Sequence, residues 1–243
     1  MNQEPTLKSA QEIISLIDLT RLDKHATVNE LNDLVRKAND HQPAAICIFP
    51  EHYACISEDI KVNRATVVNF PTGEEPIESV LQAIDNAKGI ANEIDYVFPY
   101  KRYLSGDSDK ALAHCHRTYL RCQNHQLLFK VILESGAFSS MDHLYELSLA
   151  VVQSGCDFLK TSTGTILTGA TLPAMLAMAS AIIDSKKNCG IKVSGGIKTR
   201  QQALAYIQRA EQMFEKKVDN TWFRIGASGL LDELTKNQCP PHH

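Results

Sequence analysis

The chain has 243 residues, 44% of them hydrophobic and 22% charged, with 25 Lys and Arg against 28 Asp and Glu and a formal net charge of −3. That length suits one large core rather than two ordinary domains, and the charge gives no basic excess to draw in a phosphate backbone, so no nucleic-acid partner is expected. The opening MNQEPTLKSAQE is polar, and no later stretch is long and apolar enough to span a bilayer. We therefore expect no signal segment, no membrane partner and a cytoplasmic location.

Short β-rich runs alternate with helical stretches along the whole chain. SLIDLT (15–20) is the first strand run. Thr27-Val-Asn-Glu30 then makes a capping box, and Leu31, Leu34, Val35 and Ala38 form the inward stripe of the helix it opens. AAICIF (44–49) and ATVVNF (65–70) follow. Pro76 suits a first helical position, with Ile77, Val80, Leu81 and Ile84 along one face. EIDYVF (93–98) and LLFKVIL (127–133) come next. Ser139 with Asp142 predicts a helix start, Leu144, Leu147 and Val151 its apolar face, and Gly155 its stop. DFLKTS (157–162) precedes a helix opened by Thr171 and Pro173. GIKVS (190–194) precedes one opened by Thr199, and FRIGAS (223–228) precedes a short helix with Leu230, Leu231 and Leu234. The tail from about Asn237 to His243 reads as irregular, because Pro240-Pro241 cannot continue a helix.

Several of the eight strand runs are continuously apolar, as parallel strands covered by helices are. The order predicts an α/β chain with a single (β/α)8 (TIM) barrel domain over residues 1–243. An open doubly wound sheet is the alternative, but no GxGxxG turn follows an early strand.

The seven cysteines are odd in number and form no CxxC pair, so they read as small hydrophobes. His114, Cys115, His116, Cys122 and His125 resemble a metal cluster at first sight. Leu112, Cys115, Tyr119 and Cys122, however, fall on one helical stripe, and the spacing matches no standard ligand pattern. Core packing is the expectation, with no metal and no cofactor.

In such barrels the chemistry sits at the carboxyl ends of the strands. Reading those ends gives Asp18, Cys47, Asn69, Asp95, Glu134, Lys160, Lys192 and Gly226, so carboxylates face lysines across one mouth. Lys160, in Asp-Phe-Leu-Lys-Thr-Ser-Thr-Gly, could simply snorkel or pair with a carboxylate. A second lysine on the next strand, Lys192, changes that reading. Two ammonium groups in one cavity repel, desolvation favours the neutral form, and a neutral amine can attack an aldehyde to form a Schiff base. Asp95, on an otherwise apolar strand, needs a cation that Lys192 or Lys160 would supply; it reads either as a plain salt bridge or as an acid–base group that relays protons through a water. Lys130 is expected to be a buried ion-pair partner, with Glu134 four residues on pointing to the same face. Cys47 reads first as core. Gly195-Gly196 before Ile197-Lys198-Thr199, and Gly226-Ala-Ser228-Gly229 before the last helix, are glycine loops of the kind that bind phosphate after the seventh and eighth strands.

Asp18-Leu-Thr20, Ala44-Ala-Ile-Cys-Ile, Val68-Asn-Phe-Pro71, Asp95 to Pro99, Phe158 to Gly164, Lys192 to Gly196 and Gly226-Ala-Ser228 together resemble the deoxyribose-phosphate aldolase family of class I aldolases, from about Ser15 to Leu234. The resemblance implies reversible cleavage of 2-deoxy-D-ribose 5-phosphate to D-glyceraldehyde 3-phosphate and acetaldehyde. It implies Lys160 as the Schiff-base lysine, Lys192 as the lysine that perturbs it, and Asp95 as the proton relay. Phosphate contacts fall to Gly164, Gly195, Gly196, Gly226 and Ser228. Asp18, Thr20, Cys47, Thr163, Ile197, Lys198 and Gly229 complete the expected substrate-binding set. The implied partners are a small sugar phosphate and an aldehyde, with a homodimer as the expected assembly. Two departures stand out. Thr165 occupies a position where some members carry a lysine, and the chain ends Cys-Pro-Pro-His-His without a terminal tyrosine, its last being Tyr206. The competing readings are the same lysine chemistry on another aldehyde, and a non-catalytic sugar-phosphate-binding barrel.

Overall fold

The computed structural model describes residues 8–236. In chain order the elements are α1 (Ala10–Ile14), β1 (Ile17–Arg21), α2 (Val28–His41), β2 (Ala45–Ile48), β3 (Asn63–Val68), α3 (Ile77–Ala87), β4 (Glu93–Val97), α4 (Tyr100–Leu104), α5 (Ser108–Asn124), β5 (Leu128–Ile132), α6 (Met141–Ser154), β6 (Phe158–Lys160), α7 (Leu172–Ser185), β7 (Gly190–Ser194), α8 (Arg200–Phe214), β8 (Phe223–Ala227) and α9 (Leu230–Lys236). Each strand pairs in parallel with the next, and β1 pairs with β8, so the sheet closes into a barrel. That closure excludes the open doubly wound alternative. The tail from Asn237 lies outside the described residues.

The strands carry two different faces. Ile17, Leu19, Ile46, Ile48, Ile94, Tyr96, Phe129, Val131, Leu159, Ile191, Val193, Phe223 and Ile225 join the large apolar core shared with the helices. Along the same strands the alternate residues turn inward. On β2 and β3 these are Ala45, Cys47, Phe49, Ala65 and Val67, a separate small apolar cluster. On β1, β4, β5, β6, β7 and β8 they include Asp18, Glu93, Asp95, Lys130, Lys160, Lys192 and Arg224, all buried. One half of the barrel interior is therefore apolar and the other charged.

Several boundaries differ from those the sequence predicts. Ser15 is the C-cap of α1, so β1 begins at Ile17 and Asp18 lies inside the strand. Pro76 is the N-cap of α3 rather than its first residue. The N-cap of α6 is Ser140, whose hydroxyl accepts from the His143 N–H, and not Ser139. The link between β2 and β3 holds only a 3₁₀ turn, Pro50–Cys55. The His and Cys cluster disperses along α5. Cys115 and Cys122 enter the core, His114 Nδ1 meets the Tyr96 hydroxyl at 2.6 Å, and His125 Nε2 meets Asp85 at 2.7 Å. Among the described residues no set of His, Cys, Asp or Glu is arranged to hold a metal. No helix among them is long and apolar enough to cross a membrane.

Gly155 ends α6 as expected, at φ 114°, and a Cβ there would stand 2.3 Å from the Tyr119 ring. Gly155→Ala should therefore lower the unfolding free energy by about 1–3 kcal/mol, the usual cost of overpacking, read from the urea midpoint. Adding Tyr119→Leu should restore only part of the loss, because the backbone conformation stays unfavourable for alanine.

Candidate active site

The inward charges form one connected network. Lys130 Nζ lies 2.5 Å from Glu93, 2.9 Å from Asp95 Oδ1 and 3.2 Å from Asp18. Lys192 Nζ lies 2.5 Å from Asp18 and 2.7 Å from Asp95 Oδ2. Arg224 joins Asp18 at 2.7 Å and Glu93 at 3.3 Å. Lys160 Nζ reaches a single carboxylate oxygen, Asp95 Oδ2 at 2.6 Å, which it shares with Lys192. Strand register explains the meeting, since Asp95 stands opposite Lys130, and Lys160 opposite Lys192.

Counting charges identifies the unusual member. Four cationic side chains face three carboxylates, so full ionisation would leave 4 − 3 = +1 in a buried space. A net buried charge is costly, and the group with the weakest compensation neutralises first. Lys130 touches three carboxylates and Lys192 and Arg224 two each; Lys160 has half a share of one. Burial accordingly pulls Lys160 below the ordinary lysine range, against the attraction of Asp95 and with the repulsion of Lys192. Burial works the same way on Lys192 and Lys130, but their carboxylates outweigh it and both are raised. Asp95 would rise through burial, yet the three lysines hold it well below the carboxylate range. The result is an amine pulled toward its neutral form beside an ammonium and a carboxylate whose charged forms are favoured.

Glycine makes the room. A Cβ on Gly226 would stand 2.9 Å from Ser194 Cβ and 3.1 Å from Lys192 Cε, so β8 must lack a side chain where the Lys192 stem passes. Gly195 and Gly196 both adopt positive φ, 90° and 87°, in the turn after β7.

Above the network a cavity of about 330 Å³ opens at the carboxyl ends of the strands. Lys160 is 2% exposed and reaches it from below. The wall includes Thr20, Thr163, Gly164, Gly195, Gly196, Ile197, Lys198, Gly226 and Ser228, which the structure brings together around one space. Asp95 and Lys192 lie beneath, fully buried behind Lys160. Asp18 and Cys47 are also fully buried and do not line the cavity: Asp18 is the counter-ion of Lys130, Lys192 and Arg224, while Cys47 packs with Ala45 and Ala65. Burial first, and then Asp95, push the Cys47 thiol up to about 11, which leaves it protonated. Gly229 follows the wall residue Ser228 but does not itself line the cavity.

The Lys130–Glu134 pair expected from their spacing does not form. The chain turns at Glu134, φ 54°, and its carboxylate instead accepts from the Thr163 N–H at 3.2 Å and from the Thr163 hydroxyl. The N-terminus of α8 is satisfied by its own capping box, with Gln202 Oε1 accepting from the N–H groups of Lys198 and Thr199. The N–H groups of Gly196, Ile197 and Ser228 make no hydrogen bond within the described residues and remain free for a ligand. Lys198 is exposed and has no carboxylate within ion-pair distance among the described residues. Tyr206 lies on α8 and donates its hydroxyl to the Ala170 carbonyl at 2.9 Å, away from Lys160.

Glu93 and Arg224 went unread in the sequence, as did the wall residues Leu22, Phe70 and Ser194. A period of two would have found the first pair, because Glu93 precedes Asp95 by two and Arg224 precedes Gly226 by two.

The charge balance predicts the effect of Lys192→Leu. Three cations would then face three carboxylates, so Lys160 no longer gains by losing its proton. Its pKa should rise toward or above the ordinary lysine value, measured by NMR titration of the lysine Nζ resonances. An unmoved Lys160 resonance would show that Lys192 does not set its charge.

Residues 12–233 match the family model described as DeoC/LacD family aldolase. The deoxyribose-phosphate aldolase of Agrobacterium fabrum is 36% identical over 235 residues, covering 93% of this chain and 90% of that protein. The deoxyribose phosphate aldolase of Aeropyrum pernix, described as having a tetrameric structure, superposes with a TM-score of 0.79 at 25% identity, over 95% of this chain and 92% of its own. The aldolase QR15 gives the same TM-score, 0.79, at 24% identity over 93% of this chain and 97% of its own, a likeness of fold. This chain belongs to the DeoC/LacD family of aldolases.

Proposed function

We propose that the chain cleaves 2-deoxy-D-ribose 5-phosphate reversibly to D-glyceraldehyde 3-phosphate and acetaldehyde through a Schiff base on Lys160. The observation that carries this reading is the single undercompensated lysine, Lys160, beneath a cavity whose far wall offers free backbone N–H groups. The deoxyribose-phosphate aldolase activity of the Agrobacterium relative supports the choice of substrate.

The neutral Lys160 amine attacks the C1 aldehyde, and loss of water gives a protonated Schiff base. That cation withdraws electrons from C2. Removal of the C3 hydroxyl proton, relayed through water to the Asp95–Lys192 pair, lets the C2–C3 bond break. Glyceraldehyde 3-phosphate leaves, and the electron pair rests on the lysine nitrogen as a neutral enamine. Protonation at C2 and hydrolysis then release acetaldehyde and regenerate the amine. The iminium is the electron sink, so the chemistry requires no metal. Asp95 holds the proton from the C3 hydroxyl transiently and returns it when C2 is protonated, while Lys192, paired with Asp18 as well, remains an ammonium.

For the phosphate, the free N–H groups of Gly196, Ile197 and Ser228, with Lys198 beside them, form the supporting wall. Backbone N–H groups converging from glycine turns suit an anion. The homodimer implied by the resemblance remains part of this proposal, and light scattering at twice the chain mass is its check.

Sodium borohydride with acetaldehyde should irreversibly label Lys160 alone, identified by peptide mass mapping, and Lys160→Leu should abolish both label and cleavage. A label on Lys130 or Lys192 would overturn the assignment. Lys192→Leu and Asp95→Asn should each reduce kcat by roughly 10²-fold or more, the scale of a lost acid–base group. In Lys192→Leu the acidic limb of the pH–rate profile should move to higher pH, because Lys160 then holds its proton longer. EDTA should leave kcat unchanged.

A further inference from the structure

Tyr206 is a buried side chain that the chemistry above leaves unused. It sits on α8, about two turns beyond the Thr199 N-cap, and its hydroxyl donates to the Ala170 carbonyl at 2.9 Å. Ala170 in turn donates its N–H to the carbonyls of Ser194 at 3.0 Å and Gly195 at 3.1 Å. Gly169 lies against the same turn, so closely that a Cβ there would collide with the Gly195 carbonyl oxygen. On the other side Gly136 meets the backbone of Thr168, where a Cβ would collide with the Thr168 carbonyl oxygen. Residues 168–170 are therefore gripped between two backbones and fastened to α8 by one hydroxyl.

The consequence falls on Gly196. The Gly195 carbonyl and the Gly196 N–H belong to one trans peptide unit, which is planar, with the two groups pointing in opposite directions. A peptide flanked by two glycines rotates easily, so its direction is set from outside. Tying the Gly195 oxygen to Ala170 turns the Gly196 N–H the other way. That N–H has no partner among the described residues, and Gly196 lines the cavity.

We propose that Tyr206 is a positioning residue for the anion-binding turn: through Ala170 it holds the Gly195–Gly196 peptide with its N–H directed at the substrate phosphate. The contacts close a ring. The turn leads into α8, α8 carries Tyr206, Tyr206 holds Ala170, and Ala170 holds the turn. Tyr206 does not line the cavity, so its effect is confined to the end of the sugar that carries the phosphate. This assignment rests on the reading of Gly196, Ile197 and Ser228 as the phosphate wall.

Tyr206→Phe removes the hydroxyl and keeps the ring. KM for 2-deoxy-D-ribose 5-phosphate should rise about three- to tenfold, the scale of one ordinary hydrogen bond, and inhibition by inorganic phosphate should weaken by the same factor. The kcat for the phosphorylated sugar, the kcat/KM for free deoxyribose and the borohydride labelling of Lys160 should hold. A residue that merely stabilises the fold would move none of these, or would lower activity on both sugars together; either result would overturn the proposal. Gly169→Ala reaches the same turn without touching Tyr206, because the added methyl forces Ala170 away from Gly195. The same selective loss is expected. A Gly169→Ala enzyme with unaltered KM and phosphate inhibition would overturn the proposal even if Tyr206→Phe failed to fold. NMR with isotopically labelled glycine separates the two readings. Inorganic phosphate should shift the Gly196 amide resonance of the parent enzyme, and absence of that shift would reject the phosphate wall. The Gly196 resonance of ligand-free Tyr206→Phe should differ from that of the parent whatever binds there, and an unmoved resonance would overturn the role of Tyr206 itself.

Discussion

A surplus of one positive charge in a closed, buried network governs this protein. Asp18, Glu93 and Asp95 cannot neutralise Lys130, Lys160, Lys192 and Arg224 together. Bulk water would dissipate such an imbalance, but inside a barrel the interaction between charges is several times stronger. The protein resolves it by leaving one lysine with half a counter-ion. The lowered proton affinity of Lys160 thus follows from an arithmetic property of the whole barrel interior rather than from any single neighbour.

The scaffold serves that arrangement at several points. β2 and β3 contribute only small or apolar inward residues, which confines the charges to the opposite half of the barrel. Gly226 leaves the space through which Lys192 extends. Thr161 and Ser194 tie the tops of β6 and β7 together, the Ser194 N–H donating to the Thr161 hydroxyl at 2.9 Å and the Thr161 hydroxyl to the Ser194 carbonyl at 3.1 Å. Lys160 and Lys192 are therefore carried by two strands that cannot drift apart without breaking buried hydrogen bonds.

Much of this was legible in the residues. The outward face of most strands is apolar, and glycine, proline and capping residues mark most of the links, so the alternating order and the barrel followed from local chemistry. Lys160, Lys192 and Asp95 stood out because a charged residue on an apolar run needs a reason. Glu93 and Arg224 were equally anomalous but sat at strand starts, where a charged residue usually meets solvent; only the closed barrel shows them facing each other. Asp18 and Cys47 were placed at the mouth because position in the sequence does not tell depth below a cavity floor. Glu134 was assigned to Lys130 on an i to i+4 spacing, which holds a common face only while the strand continues, and the left-handed turn at Glu134 ends it. The helix caps at Ser140 and Pro76 shifted by one residue, the usual ambiguity where two neighbouring residues can cap or start a helix.

The pairing of β1 with β8 has a consequence for how the chain is made. Asp18 and Arg224 are separated by 206 positions and meet at 2.7 Å. A ribosome that has released β1 through β7 has delivered three carboxylates and three lysines, but not the guanidinium that bridges Asp18 to Glu93. Without it, the Asp18 and Glu93 oxygens that it bridges lack that donor, a cost to burying them. Closing the polar half of the interior before the last strand emerges would leave those oxygens without their donor. The surplus of positive charge appears only at that moment, since it is the arrival of Arg224 that turns an even charge count into an odd one.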